Sequence, residues 1–404
     1  MHEIYDPEIQ TLKTVGRGHP RLGIIGGGQL AKLTALAAAK LGCEVVVLER
    51  NGFSPAAGVA THSLVGDWNN VGDLLTLAQQ VDVVSIENEF IDVAALALLE
   101  QAGHQVFPRS DTLRLVQDKF IQKQTLAAAG LPLPRFAPVY EKESLPQFAA
   151  EFGWPLVLKT RRNGYDGKGN YTLQSAADIA EAWQTLGGER NELYVEAFCP
   201  FAKELALIIT RGAAGQVVEY PVAETVQRHH ICHRVTVPAN ISTELAQHAT
   251  ALGRRAIETI GGVGSFGVEM FLTATGELLI NELAPRVHNS GHYTVEACVC
   301  SQFENHVRAL FGWPLGSPAM VAPAAAMVNL LGQAKGSGTA LGLPRALAVP
   351  GAHLHIYGKA MSGVGRKLGH VTALGPSPEA AATTAHLAAR EITFGTNIHA
   401  QNFP

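Results

Sequence analysis

At 404 residues, with 47% apolar and 16% charged side chains, the chain is too long for one ordinary domain and has the material for two or three buried cores. Its formal net charge of −4 gives no electrostatic reason to expect DNA, RNA or an anionic membrane surface, so the expected partners are small molecules or a second copy of the chain. The 5 cysteines, at scattered positions, argue against a disulfide framework and for reduced thiols in the cytoplasm.

Residues 1–20 read as an N-terminal extension. They lack the order of a basic stretch followed by an apolar run, so no signal peptide is expected, and no run of about 18 apolar residues suggests a membrane span. Residues 21–117 alternate short apolar strands ("RLGIIG", "EVVVLE", "VDVVSIE", "HQVFP") with helical patterns over 29–41, 71–80 and 93–102. That rhythm predicts a parallel sheet covered by helices, with ligands at the carboxyl ends of its strands. Its first turn, "GGGQLA", places Gly26, Gly28 and Ala31 in the spacing of a dinucleotide loop, and Glu49 ends the next strand where a ribose-binding acid would stand. Glu87 and Glu89 end the strand "VDVVSIE" and at least one should face the crevice.

Residues 118–316 read differently. A helix from Asp118 to Gly130 runs into the proline-spaced "LPLPRFAPV", and strands then cluster with few helices, which predicts α+β structure with antiparallel pairing. Within it, "LKTRRNGYDGKGN" carries Lys159, Gly164, Gly167, Lys168 and Gly169, a glycine-rich turn whose N–H groups can close over phosphates, although its spacing is not that of a Walker loop. The segment "FGVEMFLTATGELLINELAPR", if it turns at Thr275-Gly276, sets Glu269 opposite Glu282. Two carboxylates held together suit a hard divalent cation such as Mg²⁺, with Asn281 beside them near a nucleotide. Arg286, His288, Asn289 and His292 then gather in "APRVHNSGH" before a helix expected near Tyr293, a set suited to a small oxyanion. Cys298 and Cys300 fall on what reads as that helix, without a second ligand pair for a metal. Residues 317–404 form a small strand-rich piece ending in an alanine-rich helix over 379–392, and "YGKAMSGVGRKLGH" offers Lys359, Arg366 and Lys367 around glycines.

Taken in order, "GGGQL", "SIENE", "DKFIQKQ", "GYDGKG", "INELAPRVHNSGH" and "YGKAMSGVGRKLGHV" resemble the N5-carboxyaminoimidazole ribonucleotide synthase family of ATP-grasp ligases, over about residues 20–395. The resemblance implies a three-domain ATP-grasp fold, α/β and α+β, with a Rossmann-like first domain, a lid over about residues 135–198 and a small C-terminal domain. It implies a homodimer coupled to the mutase that uses the product, with ATP, Mg²⁺ and bicarbonate as the small molecules required. ATP would be held by Lys119, Lys159, the loop Gly164, Tyr165, Asp166, Gly167, Lys168, Gly169 and Asn170, the hinge Glu196, Ala197, Phe198 and Cys199, Glu204 on the ribose, and Asn281 with Glu282. Glu269 and Glu282 would hold the metal; Arg286, His288 and Asn289 would bind bicarbonate or carboxyphosphate. The ribonucleotide would meet Gln29, Leu30, Glu87, Tyr165, Asp166, Lys359, Arg366 and Lys367, with Asp166 or Glu87 orienting or deprotonating its amine. The glycine loop then cradles a 5′-phosphate instead of a pyrophosphate. A formate-dependent glycinamide ribonucleotide transformylase or another ATP-grasp ligase would share the phosphate loop and carboxylate pair. A dinucleotide-dependent oxidoreductase leaves both unexplained, and a non-catalytic nucleotide binder leaves the carboxylates without purpose.

Overall fold

The structure, a computed structural model, describes residues 18–164 and 167–395. β1 (Arg21–Ile25), α1 (Gln29–Lys40), β2 (Glu44–Glu49), β3 (His62–Val65), α2 (Val71–Ala78), β4 (Val83–Ile86), α3 (Val93–Gln101) and β5 (Val106–Phe107) build a sheet in the order β3-β2-β1-β4-β5. All its pairs are parallel. The strands are apolar on both faces because both are covered: Leu22, Val45 and Val47 enter one core, Ile25, Val46, Leu48 and Val84 the other. β3 is the edge strand "HSLV", largely exposed, and its lack of an apolar run is why the sequence alone does not reveal it.

α4 (Ser110–Gln117) leads into α5 (Lys119–Ala128), whose N-cap Asp118 accepts from Phe120 N and Ile121 N. The same carboxylate, 1% exposed on its side chain, takes the Arg161 guanidinium at 2.6 Å and so ties α5 to the lid. The segment expected as the lid comprises β6 (Phe136–Val139), α6 (Leu145–Phe152), β7 (Leu156–Thr160), β8 (Asn170–Leu173), α7 (Ile179–Leu186) and β9 (Leu193–Ala197). Its antiparallel sheet runs β6-β9-β7-β8, and α6 and α7 bury Leu145, Ala149, Trp183 and Leu186 against Leu156, Leu158 and Val195.

The remaining elements are β10 (Phe201–Arg211), β11 (Val217–Glu219), β12 (Ala223–Arg228), β13 (Ile231–Val237), α8 (Thr243–Ile260), β14 (Gly264–Thr273), β15 (Leu278–Ala284), α9 (Thr294–Ala297) and α10 (Gln302–Leu310). After them come β16 (Ala324–Leu331), β17 (Gly336–Ser337), α11 (Leu343–Leu347), β18 (Ala352–Ile356), β19 (Met361–Ser362), β20 (Lys367–Gly375) and α12 (Pro378–Ala389). One large sheet runs through both groups in the order β15-β14-β10-β12-β13-β16-β20-β18, with β11 pairing β10. The C-terminal piece is therefore stitched to the central one by the β13–β16 ladder, from Arg234↔Val328 to Val237↔Ala325. α10 joins the first sheet's core through Val307 and Leu310, so two segments distant in sequence share one body of packing.

The helix expected through Cys298 and Cys300 stops earlier. α9 ends at Ala297, Cys298 is extended and bridges Met320, and Ser301 caps a new helix by accepting from Glu304 N. Both thiols are buried and free. No helix of the described residues is long and apolar enough to cross a membrane.

Candidate active site

A cleft of about 1140 Å³ opens between the first sheet, the lid and the large sheet. On one wall, Gly26 leaves β1 at φ +99°, a left-handed backbone that a side chain would strain. Gly28 stands at the N-terminus of α1, and a Cβ there would lie 2.1 Å from Glu87 Oε1, so only glycine lets the acid approach. Glu87 Oε1 faces Leu30 N at 3.4 Å, and Glu49 Oε2 accepts from Gly27 N at 2.9 Å. The acid that mimics a ribose ligand in the sequence is thus a brace for the loop itself. Burial raises the Glu87 pKa against the nearby Arg286 charge. Glu89 turns the other way: it takes Arg286 in a two-point pair, Nε to Oε2 at 2.6 Å and Nη2 to Oε1 at 3.1 Å. Burial opposes ionisation of Glu89, but the guanidinium outweighs it and lowers its pKa.

Across the cleft lie the lysines. Lys119, the first residue of α5, reaches Glu282 Oε2 at 2.5 Å. Lys159, at the end of β7, reaches Glu196 Oε2 at 2.9 Å. Lys123, one helical turn beyond Lys119, takes the other Glu196 oxygen at 3.0 Å and donates to the Asn281 carbonyl at 3.0 Å. Burial alone would push Glu196 up; two ammonium groups hold it down at about 2. Ala197 at the end of β9 and Phe198 and Cys199 after it, the segment expected as a hinge, line the cleft with Val157, Phe201, Ile231 and Phe271. The Phe201 and Phe271 rings stack with centroids 4.7 Å apart, giving an apolar floor of the kind a flat base needs.

Glu269 and Glu282 are opposed in the β14–β15 ladder, as the hairpin reading expects, but by another route. The outer rungs, Leu272↔Leu278 and Met270↔Ile280, belong to a longer loop, and a bulge at Asn281 shifts the register to bring the two acids face to face. The bulge leaves Asn281 Oδ1 buried with no hydrogen-bond partner. Burial, then the charges of Glu282 and Glu204, raise the Glu269 pKa, while Lys119 outweighs burial at Glu282 and lowers it. Glu204, on β10, is pushed up to about 7 by burial alone. Paired acids and an unmet amide oxygen are hard oxygen donors and fit a magnesium-type cation that keeps its other positions for substrate. Among the described residues no group of three or more His, Cys, Asp or Glu side chains forms a closed metal cage.

Arg286, His288 and Asn289 follow on the turn after β15. Gly267 on β14 makes room for the imidazole, since a Cβ there would lie 2.6 Å from the ring. His288 Nδ1 bonds Ser290 Oγ at 2.8 Å, and its backbone is gripped at both ends by Gln302, N to Oε1 at 2.9 Å and O to Nε2 at 2.7 Å. Burial, then the charges of Arg286 and Lys367, hold the ring neutral, with its pKa at about 3. His292 is not with them: it is fully buried behind the turn against Phe303 and His370.

The cleft also takes in Gln29, Leu30, Lys168, Asn170, Gln227, Lys359, Arg366 and Lys367. Gly164 and Gly167 line it, and a Cβ on Gly167 would lie 2.5 Å from His230 Cβ, so the lid tip rests on the β12–β13 turn. Gly169 does not line the cleft; it closes the turn by offering its carbonyl to Thr160 N at 2.8 Å. Tyr165 and Asp166 lie outside the described residues.

With this geometry in view, residues 20–117 match the ribonucleotide synthetase preATP-grasp domain, 124–303 the ATP-grasp domain and 325–384 the phosphoribosylaminoimidazole carboxylase C-terminal domain. The N5-carboxyaminoimidazole ribonucleotide synthase of Synechococcus elongatus is 42% identical over 352 residues, covering 87% of this chain and 88% of that one. The chain belongs to the N5-carboxyaminoimidazole ribonucleotide synthase family. The crystal structure of the Thermotoga maritima synthetase superposes with a TM-score of 0.84 at 39% identity, over 93% of this chain and 99% of that one. A synthase from Aspergillus clavatus, solved with ADP and 5-aminoimidazole ribonucleotide, gives 0.85 at 32% identity, over 92% and 98%.

Members of this synthase family share the ATP-grasp fold, and several residues that line or support the cleft of this one carry no motif. Lys123 had a signal, its i,i+4 spacing from Lys119 on one helix. Gln302 had none, because its role comes from packing α10 under a turn 14 residues away. Phe201 and Phe271 become a pair only through the β10–β14 alignment.

Proposed function

We propose that this chain is an ATP-dependent carbon–nitrogen ligase that carboxylates 5-aminoimidazole ribonucleotide with bicarbonate in purine biosynthesis, giving the N5-carbamate, ADP and phosphate. The observation that carries this reading is the convergence, in one cleft, of Lys119 on the paired acids, Lys159 on Glu196, the turn of Arg286, His288 and Asn289 beside them, and a braced glycine loop with basic residues of the C-terminal piece. The adenine would lie on Phe201 and Phe271 at the hinge Glu196–Cys199, its ribose at Glu204, and its phosphates along Lys119, Lys159 and the lid loop from Gly164 to Asn170.

Glu269 and Glu282, with Asn281, would hold Mg²⁺, which when bound neutralises charge on the transferring phosphoryl group. Lys119, paired with Glu282 and also near the charges of Glu89 and Glu269, would face the phosphates beside the metal. Arg286, the neutral His288 ring and Asn289 would hold bicarbonate, and donors fixed before reaction act without reorganisation as charge develops. A bicarbonate oxygen attacks the γ-phosphorus and ADP leaves; the amine then attacks the carboxyl carbon of carboxyphosphate and phosphate leaves. Carboxyphosphate hydrolyses readily, and the glycine lid against His230 would keep water out. Glu87, with its pKa raised, or Asp166 would orient the amine or take its proton. The ribonucleotide would sit between Gln29, Leu30, Tyr165 and the cations Lys359, Arg366 and Lys367, its phosphate at the N-terminus of α1. A homodimer, coupling to the mutase that consumes the carbamate, and a cytoplasmic location rest on family membership alone.

ADP release tests this with two substrate pairs, bicarbonate with aminoimidazole ribonucleotide and formate with glycinamide ribonucleotide. Turnover with the first pair only is expected; turnover with the second only would move the chain to the transformylase reading.

A further inference from the structure

Asn329 is the lone polar side chain in the apolar run Ala324–Leu331 of β16, and it is 4% exposed. An amide in a buried strand is costly unless its donors and acceptor are matched. Asn329 Oδ1 accepts from Asn289 Nδ2 at 3.0 Å, and Asn329 Nδ2 donates to Asn289 Oδ1 at 2.7 Å and to the Cys232 carbonyl of β13 at 2.9 Å. The third partner sets the direction of the whole pair. A backbone carbonyl only accepts, so the Asn329 atom facing Cys232 must be the nitrogen. Its oxygen then faces Asn289 and can be met only by the Asn289 nitrogen. In such a closed pair each amide uses the N–H on the side of its own oxygen. Asn289 therefore keeps its other N–H, a donor, outside the pair, and Asn289 is one of the residues that line the cleft.

We propose that Asn329 is a positioning residue for the carboxylation, locking the Asn289 amide so that it presents an N–H, never its oxygen, to the bicarbonate or carboxyphosphate oxyanion. Released from the pair, Asn289 is free to rotate and to turn its carbonyl oxygen toward the anion. The lock also makes the oxyanion turn depend on the β13–β16 ladder, so the C-terminal piece contributes to the carboxyl-binding end of the cleft as well as to the phosphate end. This inference rests on the reading of Asn289 as an oxyanion ligand.

The test is steady-state kinetics in carbonate-depleted buffer, with the full chain carrying Asn329→Leu, Asn289→Ala or both. A hydrogen bond to a charged group is at stake, so Asn329→Leu should raise the KM for bicarbonate by about 10- to 100-fold. The KM values for ATP and ribonucleotide should stay within about twofold, a split that a merely structural lesion would not produce. Asn289→Ala should show the same split, and the double variant should add little to either, because both remove one interaction. If Asn289→Ala raises the bicarbonate KM and Asn329→Leu does not, the positioning role is refuted and the Asn289 reading survives. If Asn289→Ala leaves the bicarbonate KM unchanged, the Asn289 reading falls and the proposal falls with it. A loss in kcat alone with a lowered melting temperature would also overturn it. Should Asn329→Leu fail to fold, Asn329→Ser, which keeps a hydroxyl toward Cys232 but cannot close the pair, is read in the same way.

Discussion

At the scale of single residues, the cleft is organised by which acid each cation serves. Lys119 belongs to Glu282, Lys123 and Lys159 share Glu196, and Arg286 belongs to Glu89. Glu282→Gln keeps the shape and removes the charge, so turnover should fall by at least about 100-fold while the melting temperature stays within a few degrees. Near-normal kcat would remove Glu282 from the metal site. Lys359→Ala should raise the KM for the ribonucleotide by about 10-fold or more and leave that for ATP nearly unchanged. Equal effects on both substrates would refute the phosphate role. The four glutamates Glu49, Glu87, Glu89 and Glu196 show where a sequence reading stops. Their presence at strand ends is legible, but that Glu49 braces Gly27 and Glu89 grips Arg286 follows from distances across 22 and 197 residues.

Among the elements, those with a strong period were readable and those fixed by a partner were not. The helices after β1 and at Asp118 announce themselves by apolar spacing and by a cap, and fall within a residue or two of their expected ends. β3 has no apolar run, and α9 is cut short by the cap at Ser301, which outcompetes a helical pattern running through the two cysteines. A symmetric turn predicts the acid pair from the sequence, whereas a longer loop and the bulge at Asn281 together produce it. The lid supplies a prediction of its own. Gly167 has φ +78° and no room for a Cβ against His230, so Gly167→Ala should hinder closure and raise the KM for ATP about tenfold. Gly103, at φ +87° in open space, is the control: alanine there should cost about 1 kcal/mol of stability and leave kinetics alone. Indistinguishable kinetics for the two variants would contradict the lid contact.

The whole molecule is held across its parts by buried polar contacts as well as apolar cores. His306 on α10 accepts from Ser265 N at 2.9 Å through Nδ1 and meets Ser85 Oγ of the first sheet at 3.1 Å through Nε2. Burial lowers its pKa from 6.5 to about 4, and burial also holds His292 and His370 well below 6.5. Between those values the unfolded chain binds protons that the folded chain refuses, so stability falls as pH drops from about 6.5 toward 4. At pH 5, His306 alone accounts for a loss on the order of 2 kcal/mol. The raised acids Glu204 and Glu269 act in the opposite direction over the same interval, so the histidine share is read by difference: the drop in melting temperature between pH 7 and 5 should be smaller by several degrees in His306→Asn, and an equal drop in both proteins would contradict the buried neutral state of this ring.

On the proposed function, the turn of Arg286, His288 and Asn289 beside the paired acids would deliver bicarbonate to the γ-phosphate of ATP before the amine is carboxylated. Turnover with bicarbonate labelled with oxygen-18, followed by mass spectrometry of the released phosphate, is the decisive measurement. The predicted result is one labelled oxygen in each phosphate, carried over from the bridging atom of carboxyphosphate. Phosphate whose added oxygen comes from unlabelled water would contradict it, because bicarbonate would then never have been the phosphoryl acceptor.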